Sequence, residues 1–353
     1  MYNSSMKVSE LGEFGLIRLL AVGVSQADPN LLVGIGDDAA VWSSWPQATV
    51  ATTDILFQGV HFDLQSITWY ELGWKALAVN ISDVAAMGAV PRYALVNLGL
   101  PRDAEVEAVQ ELYRGMEGVG ALFETKVVGG DTVQSPGVMV AITVYGHAID
   151  VHQSKGKGRA KDQALILKRS AARPGDLVAV TGDLGASAAG LQMLRTGKPL
   201  DPRIEAVLRL AHLKPRPRVK EGQALVRAGV KAAIDISDGT IGDLVKVCEA
   251  SRVGARVWVD KLPVRPEVKH SFSDLSDEFA LHGGEDYELL FTAPASVINE
   301  ARSLVKTETG VEITVIGEVT RENAGVVTVI DRTGTERSTK AGGYDHFAAS
   351  AQP

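Results

Sequence analysis

The sequence predicts an α+β protein of two domains. Three observations predict it: a length of 353 residues, about twice that of an ordinary single domain; β-prone runs and helical patterns mixed through both halves; and a change of character over residues 149–163. That stretch holds Lys155, Gly156, Lys157, Gly158, Arg159 and Lys161 without periodicity, so the domains are expected to span 1–148 and 149–353. It reads as a solvated loop, with a phosphate-steering lid as the other reading. Hydrophobic residues at 45% are enough for a core in each half, and a net charge of -7 argues against a non-specific nucleic-acid binder.

The single cysteine, Cys248, excludes an intramolecular disulfide framework and a cysteine-rich zinc site. Its place among apolar helical positions reads as a buried structural thiol. The first ten residues lack the profile of a signal peptide, and no apolar run approaches the roughly 20 residues that span a bilayer. A cytoplasmic protein without membrane contact is expected.

From the N-terminus, Ser9 is placed to cap a helix running to about Leu20. The turn Gly34-Ile35-Gly36-Asp37-Asp38 follows, then a β-prone run from Ala48 that ends in Asp54, with His61 just beyond. Trp69 to Met87 has helical spacing, with Asn80 and Asp83 on or beside its apolar face. Tyr93 to Leu100 is a strand and Asp103 to Leu122 a helix. The strand Lys126 to Val128 enters Gly129-Gly130-Asp131-Thr132, and Val138 to Val144 is a further strand, rich in β-branched residues.

In the second half, Asp176 to Thr181 is a strand before Gly182-Asp183-Leu184-Gly185 and a helix of small residues. Pro199, Pro202, Pro215 and Pro217 punctuate short helices. Ala233-Ile234-Asp235-Ile236-Ser237-Asp238-Gly239 is a strand-to-helix turn, the place where α/β proteins set ligands against free helix N–H groups. Gly283-Gly284-Glu285-Asp286-Tyr287-Glu288 leads into a strand over Leu289 to Thr292.

Six places put acids beside Gly or at element ends: Asp37 with Asp38, Asp54, Asp83, Asp131, Asp235 with Asp238, and Glu285 with Asp286. Any one of them is explained as a turn or cap residue. Taken together they need compensating cations if they share a cleft, and carboxylates with substrate phosphates favour Mg²⁺. That points to phosphoryl transfer, although the G-x-x-x-x-G-K-[ST] loop and the protein-kinase motifs are absent.

The ordered motifs resemble those of the thiamine-monophosphate kinase family, in the superfamily of aminoimidazole-ribonucleotide synthetase. The resemblance runs over nearly the whole chain. It is carried by GIGDD at Gly34 to Asp38, TTD at Thr52 to Asp54, KALAVNISDVAAMGA at Lys75 to Ala89, VGGDT at Val128 to Thr132, AIDISDG at Ala233 to Gly239 and GGEDYELLF at Gly283 to Phe291.

The resemblance implies ATP-dependent phosphorylation of thiamine monophosphate, with Mg²⁺ and a stimulating monovalent cation such as K⁺. It further implies a homodimer built through an N-terminal sheet, with the active site in the cleft between the domains. By motif, Asp38, Thr53, Asp54, Asp83, Asp131, Asp235 and Asp238 would be metal ligands. Gly130, Asp131, Arg169, Ser237 and Tyr113 would meet the nucleotide, and His61, Glu285 and Tyr344 the thiamine side. His61 also reads as a half-buried strand histidine, and Tyr344 as packing of the C-terminus.

No residue is expected as a dedicated base, because the acceptor phosphate, with a second pKa of about 6, is already largely a dianion at neutral pH. The alternatives are another ATP-using superfamily member, such as aminoimidazole-ribonucleotide synthetase, or a non-catalytic nucleotide-binding protein. Loss of metal ligands would mark the latter.

Overall fold

A computed structural model describes residues 6–23, 29–33, 40–150 and 166–339. Asp37, Asp38, Tyr344 and the basic segment from Lys155 to Lys161 lie outside the described residues. The chain divides into two compact units, one of Met1–Ala85, Ala89–Leu165 and Leu213–Val219, the other of Ala86–Gly88, Ile166–His212 and Lys220–Pro353.

The first unit opens with two helices where one was expected, α1 (Val8–Leu11) and α2 (Glu13–Gly23). Gly12 separates them at φ 72, a left-handed value that glycine takes without steric cost. Ser9 therefore lies inside α1, and the cap is Lys7, whose N–H donates to the Glu10 carboxylate at 3.2 Å. A short hairpin of β1 (Leu31–Val33) and β2 (Val41–Trp42) follows.

The rest of this unit is β3 (Thr49–Phe57), α3 (Trp69–Ala86), β4 (Ala89–Leu100), α4 (Val106–Phe123), β5 (Lys126–Gln134) and β6 (Met139–Ala148). The strands form one sheet in the order β3-β6-β4-β5, with β4 and β5 parallel and the other pairs antiparallel. Along β6 the residues Val140, Ile142 and Val144 are buried while their neighbours are half-buried, the period of two that assigns one face to the core.

Two strands run on through residues expected at strand ends. β3 passes Asp54 and keeps its register with β6 as far as Phe57 opposite Met139, so Asp54 is a mid-strand residue. β5 likewise continues through Gly130 and Asp131 to Gln134 opposite Leu100. Acid and glycine residues read as turn signals here, and cross-strand pairing overrode them.

Helices α3 and α4 meet backbone to backbone. A Cβ on Gly73 would stand 1.8 Å from the Leu112 carbonyl oxygen, and one on Gly115 would stand 1.9 Å from that of Tyr70. The two glycines therefore set how closely the helices pack.

The second unit contains β7 (Leu177–Thr181), α5 (Ala186–Thr196), α6 (Pro202–Leu213), α7 (Val219–Ala228), β8 (Ala232–Asp235), α8 (Thr240–Ser251), β9 (Gly254–Trp258) and α9 (Pro266–Ser271). It is completed by α10 (Ser276–His282), β10 (Leu289–Ala293), α11 (Ala295–Thr309), β11 (Ile313–Thr320), β12 (Val327–Ile330) and β13 (Glu336–Thr339). Its seven strands are ordered β13-β12-β9-β11-β7-β10-β8, antiparallel except for β12 with β9. Val180, Ile234, Leu244, Val257, Leu290 and Ile316 stand in its core. The strand before Asp235 and the helix after Gly239 fall where the apolar run and the glycine place them.

Cys248 is fully buried in α8, and burial first, then the Glu249 charge, pushes its thiol up to about 12. Only thiolate reacts readily, so the native protein is expected to resist a thiol reagent that labels the denatured chain completely. Rapid labelling of the native protein would contradict the buried placement.

Candidate active site

In the first unit, α3 lies over β3 through two side-chain contacts. The Thr52 hydroxyl donates to Asp83 Oδ2, and the Asp54 backbone N–H donates to Asn80 Oδ1 at 3.0 Å. Asn80 is fully buried, and its Nδ2 donates to the Ala76 carbonyl at 3.0 Å, so one amide orientation satisfies both ends. Asn80 and Asp83 are one helical turn apart, which puts both on the side of α3 that meets Thr52 and Asp54.

The two carboxylates repel each other. Burial first, and the Asp83 charge second, raise the Asp54 carboxyl from 3.8 to about 6. An oxygen-donor pair that resists ionisation in this way is suited to a hard divalent cation, which would relieve the repulsion. Among the described residues, no group of three or more His, Cys, Asp or Glu is close enough to hold a metal ion.

Thr53 does not join this pair with its hydroxyl. Successive side chains on a strand point to opposite faces, and Thr53 Oγ1 donates to the Ile142 carbonyl and accepts from Thr143 Oγ1, each at 3.1 Å. Asp131 lies on β5, and its Oδ1 accepts the Thr132 N–H at 2.8 Å. Three inter-strand steps separate β3 from β5, about 14 Å between backbones.

In the second unit, Asp235 ends β8 and is buried. The residues after it continue the pairing of β8 with β10: Ile236 N–H donates to Glu288 O at 2.8 Å, Tyr287 N–H to Ile236 O at 2.9 Å, and Glu285 N–H to Ser237 O at 2.9 Å. The two motifs read separately from the sequence are thus neighbouring strands of one ribbon. Gly239 turns the chain into α8 at φ 103, and a Cβ there would stand 2.9 Å from the His282 carbonyl.

A fully buried carboxylate that the sequence reading passed over holds this turn. Asp243 Oδ2 accepts the N–H groups of Ser237 at 3.0 Å and Asp238 at 2.9 Å. Lys246 Nζ donates to Asp243 Oδ1 at 2.8 Å and to Asp238 Oδ2 at 2.5 Å. Burial pushes the Asp243 carboxyl up, against the pull of Lys246. With its N–H engaged, Ser237 has its hydroxyl to offer a ligand, while the Asp238 carboxylate is paired with Lys246. The i, i+3 spacing of Asp243 and Lys246 was the available signal.

The remaining expected residues are distributed as follows. His61 is half-buried, and its Nδ1 accepts the Phe57 N–H at 3.0 Å. Arg169 is exposed in a short turn whose carbonyl accepts the Ser251 hydroxyl at 2.7 Å. Gly130 has φ 151, and a Cβ there would stand 1.8 Å from Val96 O, so the packing of β5 on β4 requires glycine.

Tyr113 is buried on the face of α4 that also carries Val109, Leu112 and Met116, and burial pushes its phenol up to about 12. That sets Tyr113 on the packed face of α4.

Glu285 adopts φ 68, a left-handed backbone rare outside glycine, and its Oε2 is 3.4 Å from His212 Nδ1. Next to it, Asp286 accepts the Gly185 N–H at 2.6 Å and the Ser187 N–H at 3.1 Å at the start of α5. Burial pushes the Asp286 carboxyl up to about 7 against those two bonds, with Glu288 and Glu285 adding to the rise.

The sequence matches the AIR synthase related protein N-terminal domain over residues 36–148 and the C-terminal domain over residues 173–330. It is 39% identical over 342 residues to a thiamine-monophosphate kinase of Salmonella typhimurium, covering 96% of this chain and 98% of that protein. The chain belongs to the thiamine-monophosphate kinase family.

Solved structures of the family agree in fold. The thiamine-monophosphate kinase of Stenotrophomonas maltophilia superposes with a TM-score of 0.76 at 33% identity, over 89% of this chain and 94% of that one. AaThiL complexed with AMPPCP and TMP superposes with a TM-score of 0.72 at 33% identity, over 97% and 99%. This family member has no described helix long and apolar enough to cross a membrane.

Proposed function

We propose that the chain transfers the γ-phosphoryl group of ATP to thiamine monophosphate, giving thiamine diphosphate and ADP. The observation that carries this reading is the 39% identity, over nearly the full length, to a protein named for that activity. The likeness to a chain complexed with AMPPCP and TMP supports it. Mg²⁺ as cofactor, stimulation by K⁺, a homodimer, a cytoplasmic location and a domain division after residue 148 are parts of the same proposal.

Asp54 and Asp83 would hold one Mg²⁺, since they are a half-buried oxygen-donor pair with a charge to be offset. Asp38, Asp131, Asp235 and Asp238 are proposed for further ions. When bound, Mg²⁺ neutralises charge on the phosphate oxygens. Asn80 and Thr52 keep Asp54 and Asp83 facing one another. The Ser237 hydroxyl and the Arg169 guanidinium would orient the nucleotide, Arg because its planar fork matches phosphate oxygens. His61, Glu285 and Tyr344 would face thiamine, whose thiazolium is positive and suited to the Glu285 carboxylate.

The acceptor phosphate, largely a dianion above its pKa of about 6, attacks without a base. The chain's residues then have to hold acceptor and donor in line and in contact. ADP release by the purified protein is expected to require thiamine monophosphate and Mg²⁺ together. Turnover of formylglycinamidine ribonucleotide in place of thiamine monophosphate would overturn the substrate assignment.

A further inference from the structure

We propose that His212 is a positioning residue that fixes the Glu285 carboxylate for the cationic end of the acceptor substrate. The inference rests on the reading that Glu285 faces thiamine monophosphate. His212 lies near the C-terminal end of α6, and its side chain is 6% exposed, against 28% for Glu285. The carboxylate therefore keeps a side open to solvent while Oε2 stands 3.4 Å from buried His212 Nδ1. A carboxylate only accepts hydrogen bonds, so a bond between the two requires the Nδ1–H tautomer, in which the Ser187 hydroxyl oxygen, 3.1 Å from the same nitrogen, shares the hydrogen as a second acceptor.

The histidine is itself held in place. A Cβ on Gly190 of α5 would stand 2.2 Å from the Leu208 carbonyl oxygen and 3.0 Å from His212 Cβ, so glycine lets α6 press against α5 at this level. Ser187 is pinned from the other side, because its N–H donates to Asp286. Adjacent residues Glu285 and Asp286 thus reach the start of α5 by two routes, one through His212 and one through the backbone. The closed loop holds Glu285 at φ 68, a conformation that persists only when its surroundings impose it. A histidine placed only for packing would need neither the carboxylate nor the serine.

The test is a set of steady-state measurements with ATP and thiamine monophosphate varied separately. His212→Leu is expected to raise KM for thiamine monophosphate about tenfold or more, the range for a lost hydrogen bond to a charged group, and to leave KM for ATP and kcat within about twofold. His212→Asn, whose amide nitrogen sits close to the place of Nδ1, is expected to recover most of the affinity. Glu285→Gln separates the two readings. If Glu285→Gln leaves KM for thiamine monophosphate unchanged, the reading of Glu285 fails and the proposal with it. If Glu285→Gln raises that KM and His212→Leu does not, or if His212→Leu changes both KM values alike, the proposal alone is overturned. Should His212→Leu not fold, Ser187→Ala decides: a selective rise in KM for thiamine monophosphate supports the proposal, and no rise overturns it.

Discussion

Asp54→Asn is expected to lower turnover about 10²- to 10³-fold, the scale of removing one charge-stabilising group from a reaction centre, while making the metal-free protein more stable. The carboxyl titrates at about 6 in the fold against an ordinary 3.8, because burial and the Asp83 charge disfavour its ionised form. The stability it lends is complete below pH 3.8 and is lost as pH rises through about 6. At neutral pH the ionised group opposes folding by an amount on the order of 2 kcal/mol, since a pKa unit corresponds to about 1.4 kcal/mol. Asparagine keeps the shape and drops the charge.

Melting curves in a chelator should therefore show the variant melting several degrees higher at about pH 7.5, with the gap closing toward about pH 4. Loss of stability in step with loss of turnover would remove Asp54 from the role given to it.

Gly115→Ala is expected to destabilise the first unit and to lower activity with it. Two effects oppose each other. Alanine is favoured over glycine inside a helix by about 1 kcal/mol, whereas the new methyl would stand 1.9 Å from the Tyr70 carbonyl oxygen and must force α3 from α4. Overpacking of this kind costs about 1–3 kcal/mol and more where backbone is the obstacle. The clash is with a main-chain oxygen that has no rotamer to change, so it wins. A fall of about 5–10 °C in melting temperature is expected. Because α3 also carries Asn80 and Asp83, the displacement reaches the Asp54 site, and turnover should drop beyond the fraction unfolded. A more stable variant would show that the helices do not cross at these glycines.

What the residues alone disclose depends on how local the cause is. The strand-glycine-helix succession at Asp235 to Thr240 is legible because each step is set by its own side chains, and the fold has β8 and α8 there. The break at Gly12 and the continuation of β3 past Asp54 are not, because one depends on a single backbone angle and the other on pairing with β6, some 90 residues later in the sequence. The acids were legible as a set, but their spacing was not. The order of strands separates Asp131 from Asp54, and only α3 crossing β3 brings Asp83 to it.

Residues that act by holding others stayed hidden. Asp243 and His212 belong to ordinary helical patterns: the i, i+3 spacing of Asp243 with Lys246 signals an ion pair but not the Ser237 turn it holds, and nothing beside His212 announces the Glu285 carboxylate. For Thr53 and Tyr113, the period of the strand or helix decides the direction: it turns the Thr53 hydroxyl to the Ile142 carbonyl and sets Tyr113 on the packed face of α4.

The central claim is that this chain moves a phosphoryl group from ATP directly onto the phosphate of thiamine monophosphate. It is tested most directly by quantifying thiamine diphosphate and ADP together, by chromatography of quenched reactions of the purified protein with ATP, thiamine monophosphate and Mg²⁺. One thiamine diphosphate for every ADP, from the first turnover onward, is the predicted result. ADP accompanied by inorganic phosphate, with no thiamine diphosphate formed, would contradict it.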